Sequence, residues 1–171
     1  TSLVGKWHLG HGGNADPTGF DYWNVLPYQG DYYDPGFIEM GEEIEKKGYA
    51  TDLITDISLD WLKQRDKDKP FMLFCHHKAP HRPWEPDDKH AHMYEDIEIP
   101  EPETFYEDYA NRSTAAKEAR MRIKDLNTTD TKGTAPDNLT PTQEKKWKYQ
   151  RYIKDYLRCI ASVDDNVGRL L

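Results

Sequence analysis

The sequence predicts an α/β fold, and three stretches carry that prediction. Leu53, Ile54, Ile57, Trp61 and Leu62 form one apolar stripe at helical spacing. Phe71 to Cys75, reading FMLFC and introduced by Pro70, is a continuous apolar run suited to a strand buried on both faces of a parallel sheet. Helix, charged loop at Asp66 to Lys69, then buried strand make one αβ unit of such a sheet. The third stretch, Thr142 to Leu171, is the longest helix signal. Apolar residues from Trp147 to Leu171 recur there at three- and four-residue steps, and that face is expected to pack on the sheet.

At the start, Leu3 and Val4 close a predicted strand, and Gly5 permits a tight backbone approach. Lys6 and His8 are two residues apart, a spacing that points both to one face of an extended chain, with Trp7 on the other as a core anchor. An ammonium beside an imidazole calls for an anion or polar group between them. From His11 to Tyr49 the composition is Gly, Asp and aromatics, which predicts an ordered loop. Most of its rings are expected to pin that loop. Aromatic faces interleaved with Asp also suit a sugar, and Asp21, Trp23 and Asp31 are the candidates for that contact. Phe37 to Met40 and Glu42 to Lys46 flank Gly41 as a small hairpin. Thr51 is expected to cap the following helix, with Asp52 in its first turn.

The run at Phe71 ends in His76-His77-Lys78 and His81, with Pro80 and Pro83 breaking regular structure. Cationic groups at the carboxyl end of a buried strand sit where open α/β sheets place ligands, so the expected ligand is an anion. The same pattern also fits polar loop histidines with no shared task. His76 and His77 alternate in direction, so at most one faces the site. Lys78 either adds positive potential for the ligand or turns to solvent. Beyond Pro86 the chain reads as a surface excursion with one short helix near Asp88 to Tyr94, and His90 and His92 are expected to be exposed. Ser113 to Ile123 has helix composition, and Asn127 to Pro141 reads as loop. Asp164-Asp165 makes a poor metal pair, because neighbours on a helix diverge by about 100°.

Composition narrows the function classes. The chain has 171 residues, 32% of them charged, 36% apolar, with a net charge of -8. No apolar run approaches the roughly 18 residues needed to span a membrane. Positive charges are mixed with a larger number of acids, which argues against nucleic acid as a partner. Cys75 and Cys159 read as small buried hydrophobes rather than a disulfide. Thr1 in place of an initiating Met, and the apolar Leu170-Leu171 end, suggest a piece cut at both ends, so 1–171 is expected to be a single fragment of one domain.

Val4-Gly5-Lys6-Trp7-His8-Leu9-Gly10 resembles the second signature of the type I, formylglycine-dependent sulfatases, in the alkaline phosphatase-like superfamily. Ala79-Pro80-His81 after a predicted strand resembles that family too, in the right order. GFDYWNVLP and the closing YLRCIASVDDNVGRLL extend the similarity along the chain. It is closest to bacterial glycan sulfatases such as N-acetylglucosamine-6-sulfatases and mucin-desulfating enzymes. The resemblance implies a mixed, mostly parallel sheet flanked by helices and a place within the N-terminal catalytic domain. It implies that Lys6 contacts a sulfate oxygen, that His8 hydrogen-bonds the nucleophile, and that His81 contacts the sulfate and assists the leaving oxygen.

The implied substrate is a sulfated glycan, and the implied location is periplasmic or secreted. The family's cofactors are a calcium ion and a formylglycine made in a C/S-x-P-x-R motif. That motif is absent here, since Cys75 and Cys159 lack Pro and Arg at the required offsets, and no metal ligands are expected within the fragment. Two alternatives stay open at this point. One is a phosphate mono- or diester hydrolase of the same superfamily; the other is a non-catalytic glycan-binding module.

Overall fold

The computed structural model describes residues 1–171. The chain packs as two compact units, residues 1–81 with 159–171 and residues 82–158. The first holds a five-stranded mixed sheet: β1 (Ser2–Lys6), β2 (Tyr22–Leu26), β3 (Gly36–Glu39), β4 (Glu42–Glu45) and β5 (Leu73–His76), in the order β4-β3-β2-β1-β5. β1 runs parallel to both β2 and β5, and β3–β4 is an antiparallel hairpin added beside β2. The hairpin turns at Met40-Gly41, both with positive φ (50° and 97°), as a tight two-residue turn demands.

Alternation along the strands builds two apolar faces. Leu3, Trp23, Val25 and Ile38 cluster on one, with Trp7 and Phe20 packed against them. Val4, Leu26, Phe37 and Ile54 cluster on the other, joined by Leu53, Ile57, Leu73 and Cys75. Ile54, Leu53 and Ile57 come from α1 (Ala50–Gln64), so the predicted helix and its stripe are present and cover this second face. Each fully buried aliphatic chain here contributes about 1.5–3 kcal/mol.

Several local expectations need correction. β2 lies within the stretch read as loop. Its Gly and Asp flanks masked a run of Tyr, Trp and Val that favours a pleated strand. β5 is half-covered: Leu73 and Cys75 pack against α1's side, while Phe71, Met72 and Phe74 are 51%, 44% and 40% exposed. The expected burial on both faces is therefore not observed, because only one sheet face carries a helix at β5. Tyr49 takes the N-cap position of α1, and Thr51 is buried within the first turn.

The second unit contains α2 (Thr114–Glu118), α3 (Thr128–Thr131) and the first part of α4 (Pro141–Leu170). Residues 88–94 form turns rather than a helix. His90 is buried and hydrogen-bonds Asp87 Oδ1 at 2.7 Å, whereas His92 is exposed as expected. α3 interrupts the predicted loop because Asn127 and Asp130 form a reciprocal capping box. Arg82 grips the buried Asp130 with a two-point ion pair.

Asp130→Ala is expected to cost about 3–5 kcal/mol, by removing both the cap and the buried partner of Arg82. Urea denaturation measures it, and a loss below about 1 kcal/mol would contradict the ascribed role.

α4 has the predicted length but a different inner face. Asp155 and Arg158 are buried in the second unit and pair at 2.8 Å. In the first unit, Cys159, Ser162 and Asn166 are buried, and Asn166 donates to Asp52 Oδ1 at 2.7 Å. Ile160 and Val167, expected on the apolar face, are 37% and 40% exposed. Period 3.6 identifies a helix whichever face is inward, and paired polar groups are tolerated on it.

Candidate functional site

β1, β2 and β5 are mutually parallel, so their carboxyl ends, at Lys6, Leu26 and His76, share one edge of the sheet. Ligands of open α/β sheets bind outside such an edge. Three connections leave from it, beginning at Trp7, Pro27 and His77. Gly5 sets their closeness. It pairs with His76 at φ 104°, and a Cβ on it would lie 2.0 Å from the His76 carbonyl oxygen.

The strand stops at Lys6, and His8 adopts a left-handed φ of 56°. The extended-chain reason for pairing Lys6 with His8 therefore fails, although the structure joins them another way. Lys6 Nζ donates to Gln29 Oε1 at 2.5 Å, and the Gln29 amide nitrogen lies 2.9 Å from His8 Nε2. Partial burial lowers the Lys6 pKa from the ordinary lysine value, because desolvation disfavours the ammonium. Trp7 points away as expected, donating its indole N–H to Ala15 O at 2.9 Å and packing on the core.

No sequence pattern singles out Gln29. It sits in a turn closed by Gly30 N–H donating to Pro27 O at 2.9 Å, with Gly30 at φ 66°. Lys78, expected to contact substrate, is only 4% exposed. Its ammonium donates to Gln29 O at 3.2 Å and lies 4.7 Å from the Tyr32 ring centroid. Lys78 is thus a support for the turn rather than a surface contact. Tyr32 hydroxyl donates to His81 O at 2.5 Å, and His81 N–H to Lys78 O at 3.1 Å. These bonds tie the backbone of His81 to the same edge, and its side chain is exposed.

The sugar candidates separate. Asp31 is exposed and lines a small cavity of about 250 Å³ with Tyr28 and Gln29 at this edge. Asp21 stands at the other end of β2, accepting from the Thr1 hydroxyl at 2.9 Å, with Tyr22 in register with Ser2. A five-residue strand separates it from the Lys6 edge, roughly 16 Å at strand rise. Trp23 is 6% exposed, inside the Leu3–Val25–Ile38 cluster, and offers no ring face to a ligand. Trp23 is thus a core residue, and Asp21 is an exposed carboxylate away from the Lys6 edge. A larger cleft of about 730 Å³ in the second unit, lined by Phe105, Tyr109, Arg122, Lys145 and Tyr149 among others, brings none of the marked residues together.

His76 and His77 do alternate. His76 is exposed, with Nδ1 3.3 Å from Lys6 O. His77 is turned inward, 3.9 Å from Cys75 Sγ, with its Nδ1 buried and unpartnered. Burial pushes the His77 pKa from 6.5 down to about 4, against a weaker opposing pull from Asp52. An unfolded histidine protonates near 6.5, so between the two values the unfolded chain binds more protons. Stability from this residue is complete above about pH 6.5 and falls toward pH 4. His77→Gln is expected to flatten that part of the stability–pH curve, read from urea midpoints. An unchanged curve would refute the assignment.

No three His, Cys, Asp or Glu side chains gather into a metal-binding group. Cys75 is partly buried with its thiol pKa pushed up by desolvation, the opposite of an activated nucleophile. Neither calcium nor formylglycine is assigned to residues of this chain.

The sulfatase family model matches residues 1–171. An N-acetylglucosamine-6-O-sulfatase of Bacteroides thetaiotaomicron is 38% identical over all of this chain and 38% of its own length. A Clostridium perfringens arylsulfatase is 30% identical over 74% of this chain and 23% of its own. A solved structure in complex with its substrate D-glucosamine-2-N,6-O-disulfate superposes with a TM-score of 0.90 at 36% identity, covering 99% of this chain and 42% of that one. The chain thus spans about two fifths of the length of the Bacteroides relative and of this solved structure. With the full-length profile match, the whole-chain identity and the shared fold, the chain belongs to the sulfatase family.

Proposed function

We propose that this chain is part of the catalytic domain of an enzyme that hydrolyses the sulfate ester of a sulfated carbohydrate, with N-acetylglucosamine 6-sulfate as the preferred class. The observation that carries this reading is the Lys6–Gln29–His8 array at the carboxyl edge of the parallel strands. The similarity to an N-acetylglucosamine-6-O-sulfatase supports the choice of sugar.

In the proposed reaction the S–O(ester) bond breaks and water supplies the oxygen and protons that yield free alcohol and sulfate. Negative charge moves to the leaving oxygen as that bond lengthens. Lys6 holds a sulfate oxygen, and its partly desolvated ammonium acts where charge is stabilised more strongly than in water. His8 hydrogen-bonds the nucleophile, and exposed His81 contacts the sulfate and protonates the leaving oxygen. Formylglycine as nucleophile and a metal ion, calcium by family resemblance, belong to the complete enzyme.

No helix is long and apolar enough to cross a membrane. A periplasmic or secreted enzyme is proposed on family grounds.

The test is turnover by the product of the complete reading frame on N-acetylglucosamine 6-sulfate, an aryl sulfate and an aryl phosphate. Sulfate release from the sugar at the highest kcat/KM is expected. Preference for the phosphate would favour a phosphohydrolase instead, and binding without turnover on any of the three would favour a glycan-binding module. The 171-residue chain alone is expected to turn over none of them.

Asp31→Ala is expected to lower kcat/KM for the sugar about tenfold more than for the aryl sulfate, since it removes a contact to the ring rather than to the sulfate. Asp21→Ala, at the opposite edge, should change neither. Equal losses for Asp31→Ala on both substrates would remove it from the sugar site.

A further inference from the structure

We infer that Gln29 is a positioning residue that sets the working tautomer of His8 in the proposed sulfate site, holding Lys6 and His8 on one neutral amide. The inference deepens the sulfate-ester reading and rests on it.

Hydrogen-bond inventory makes the assignment unambiguous. An ammonium only donates, so Lys6 must face the amide oxygen, at 2.5 Å. That leaves the amide nitrogen facing His8 Nε2 at 2.9 Å. An amide NH₂ also only donates, so His8 Nε2 must accept, and the neutral imidazole keeps its proton on Nδ1. Lys6 thus fixes the flip of Gln29, and Gln29 fixes the tautomer of His8. His8 then has an Nδ1–H to offer a reacting oxygen, as a hydrogen-bond donor rather than a base.

The turn is built to keep this amide in place. Lys78, nearly inaccessible to solvent, donates to the Gln29 carbonyl, and Gly30 closes the turn onto Pro27. A Cβ on Gly30 would lie 2.8 Å from a Leu26 methyl carbon, so this turn accepts no larger residue without disturbing the end of β2. Arrangement of this kind lowers the cost of ordering catalytic groups when substrate arrives.

Neutrality is part of the design. One Lys6 donor goes to Gln29, and two remain for an anionic ligand. A carboxylate in the same place would pair with Lys6, repel a sulfate, and demand a proton on His8 Nε2. The length and charge of glutamine satisfy both neighbours and compete with neither.

The experiment uses the complete enzyme with Gln29→Leu and Gln29→Glu, assayed for kcat and KM across pH on sugar and aryl sulfates. The ¹⁵N resonances of His8, assigned by difference with His8→Gln, report the tautomer independently of activity. Wild type should show Nδ1 protonated and Nε2 bare. Gln29→Leu should lower kcat about tenfold or more on both substrates, with folding unchanged by circular dichroism. Gln29→Glu, which keeps shape and the Lys6 contact, should move the His8 proton to Nε2, displace the pH profile, and raise KM about tenfold or more.

A wild-type His8 with its proton on Nε2 would overturn the inference. So would a Gln29→Glu enzyme with wild-type KM, pH profile and tautomer. If the wild-type enzyme releases no sulfate from any ester, the functional reading fails, and the tautomer measurement still decides the role of Gln29.

Discussion

Gly5→Ala is expected to destabilise the first unit by about 3–5 kcal/mol, and Gly5→Val to prevent its stable folding. Two terms act together. The residue sits at φ 104°, which costs a side-chain-bearing residue about 1–3 kcal/mol. A Cβ would also meet the His76 carbonyl oxygen at 2.0 Å, its carbon at 2.8 Å and Ile54 Cγ2 at 3.2 Å. The nearest obstacle is backbone of the paired strand, so no rotamer change relieves it. β1 and β5 would have to separate at the pair that sets Lys6 beside the β5 connection. Urea unfolding of Gly5→Ala reads the loss. A midpoint equivalent to less than about 1 kcal/mol of change would show that the close approach relaxes freely.

Lys6→Met in the complete enzyme is expected to lower kcat/KM by on the order of 10²-fold or more, on sugar and aryl sulfates alike. Methionine keeps most of the side-chain length and loses the charge, so Leu3–Val4 packing is unaffected and the loss reports the ammonium. The pH profile gives a second check. Lys6 must be protonated to hold an anion, so activity falls as pH rises through its pKa. Desolvation sets that pKa below the ordinary lysine value. The corresponding basic limb should be missing in Lys6→Met. A variant with wild-type kcat/KM would exclude Lys6 from the sulfate site.

Parts of this arrangement are legible from residues alone. Trp7 is readable as an anchor because a large indole in an apolar stretch has area to bury, and it packs on the Leu3–Trp23 cluster. The α1 stripe and the hairpin around Gly41 follow from local periodicity and turn chemistry. Gln29 was invisible for a physical reason: a single glutamine in a turn carries no pattern. One signal was available. A strand at Tyr22 to Leu26 parallel to β1 places the turn after it on the Lys6 edge. The same pairing places Asp21 at the far edge and Trp23 in the core.

What the sequence determined by itself was local: an α/β chain, a helix opening near Thr51 and another over Thr142 to Leu171, a strand over Phe71 to Cys75, a glycine before Lys6, and a family signature around Lys6 and His8. Those features depend on repeats of 3.6 or 2 residues and on backbone angles, which neighbours along the chain dictate. The tertiary structure decided which edge each loop occupies and which face each helix turns inward. It put Asp31 at the Lys6 edge and Asp21 at the opposite one, buried the Lys78 ammonium under the Gln29 turn, and gave α4 a polar inner face at Ser162 and Asn166. Strand pairing and packing join residues far apart in the chain, and a one-residue change of register would have reversed every assignment of face.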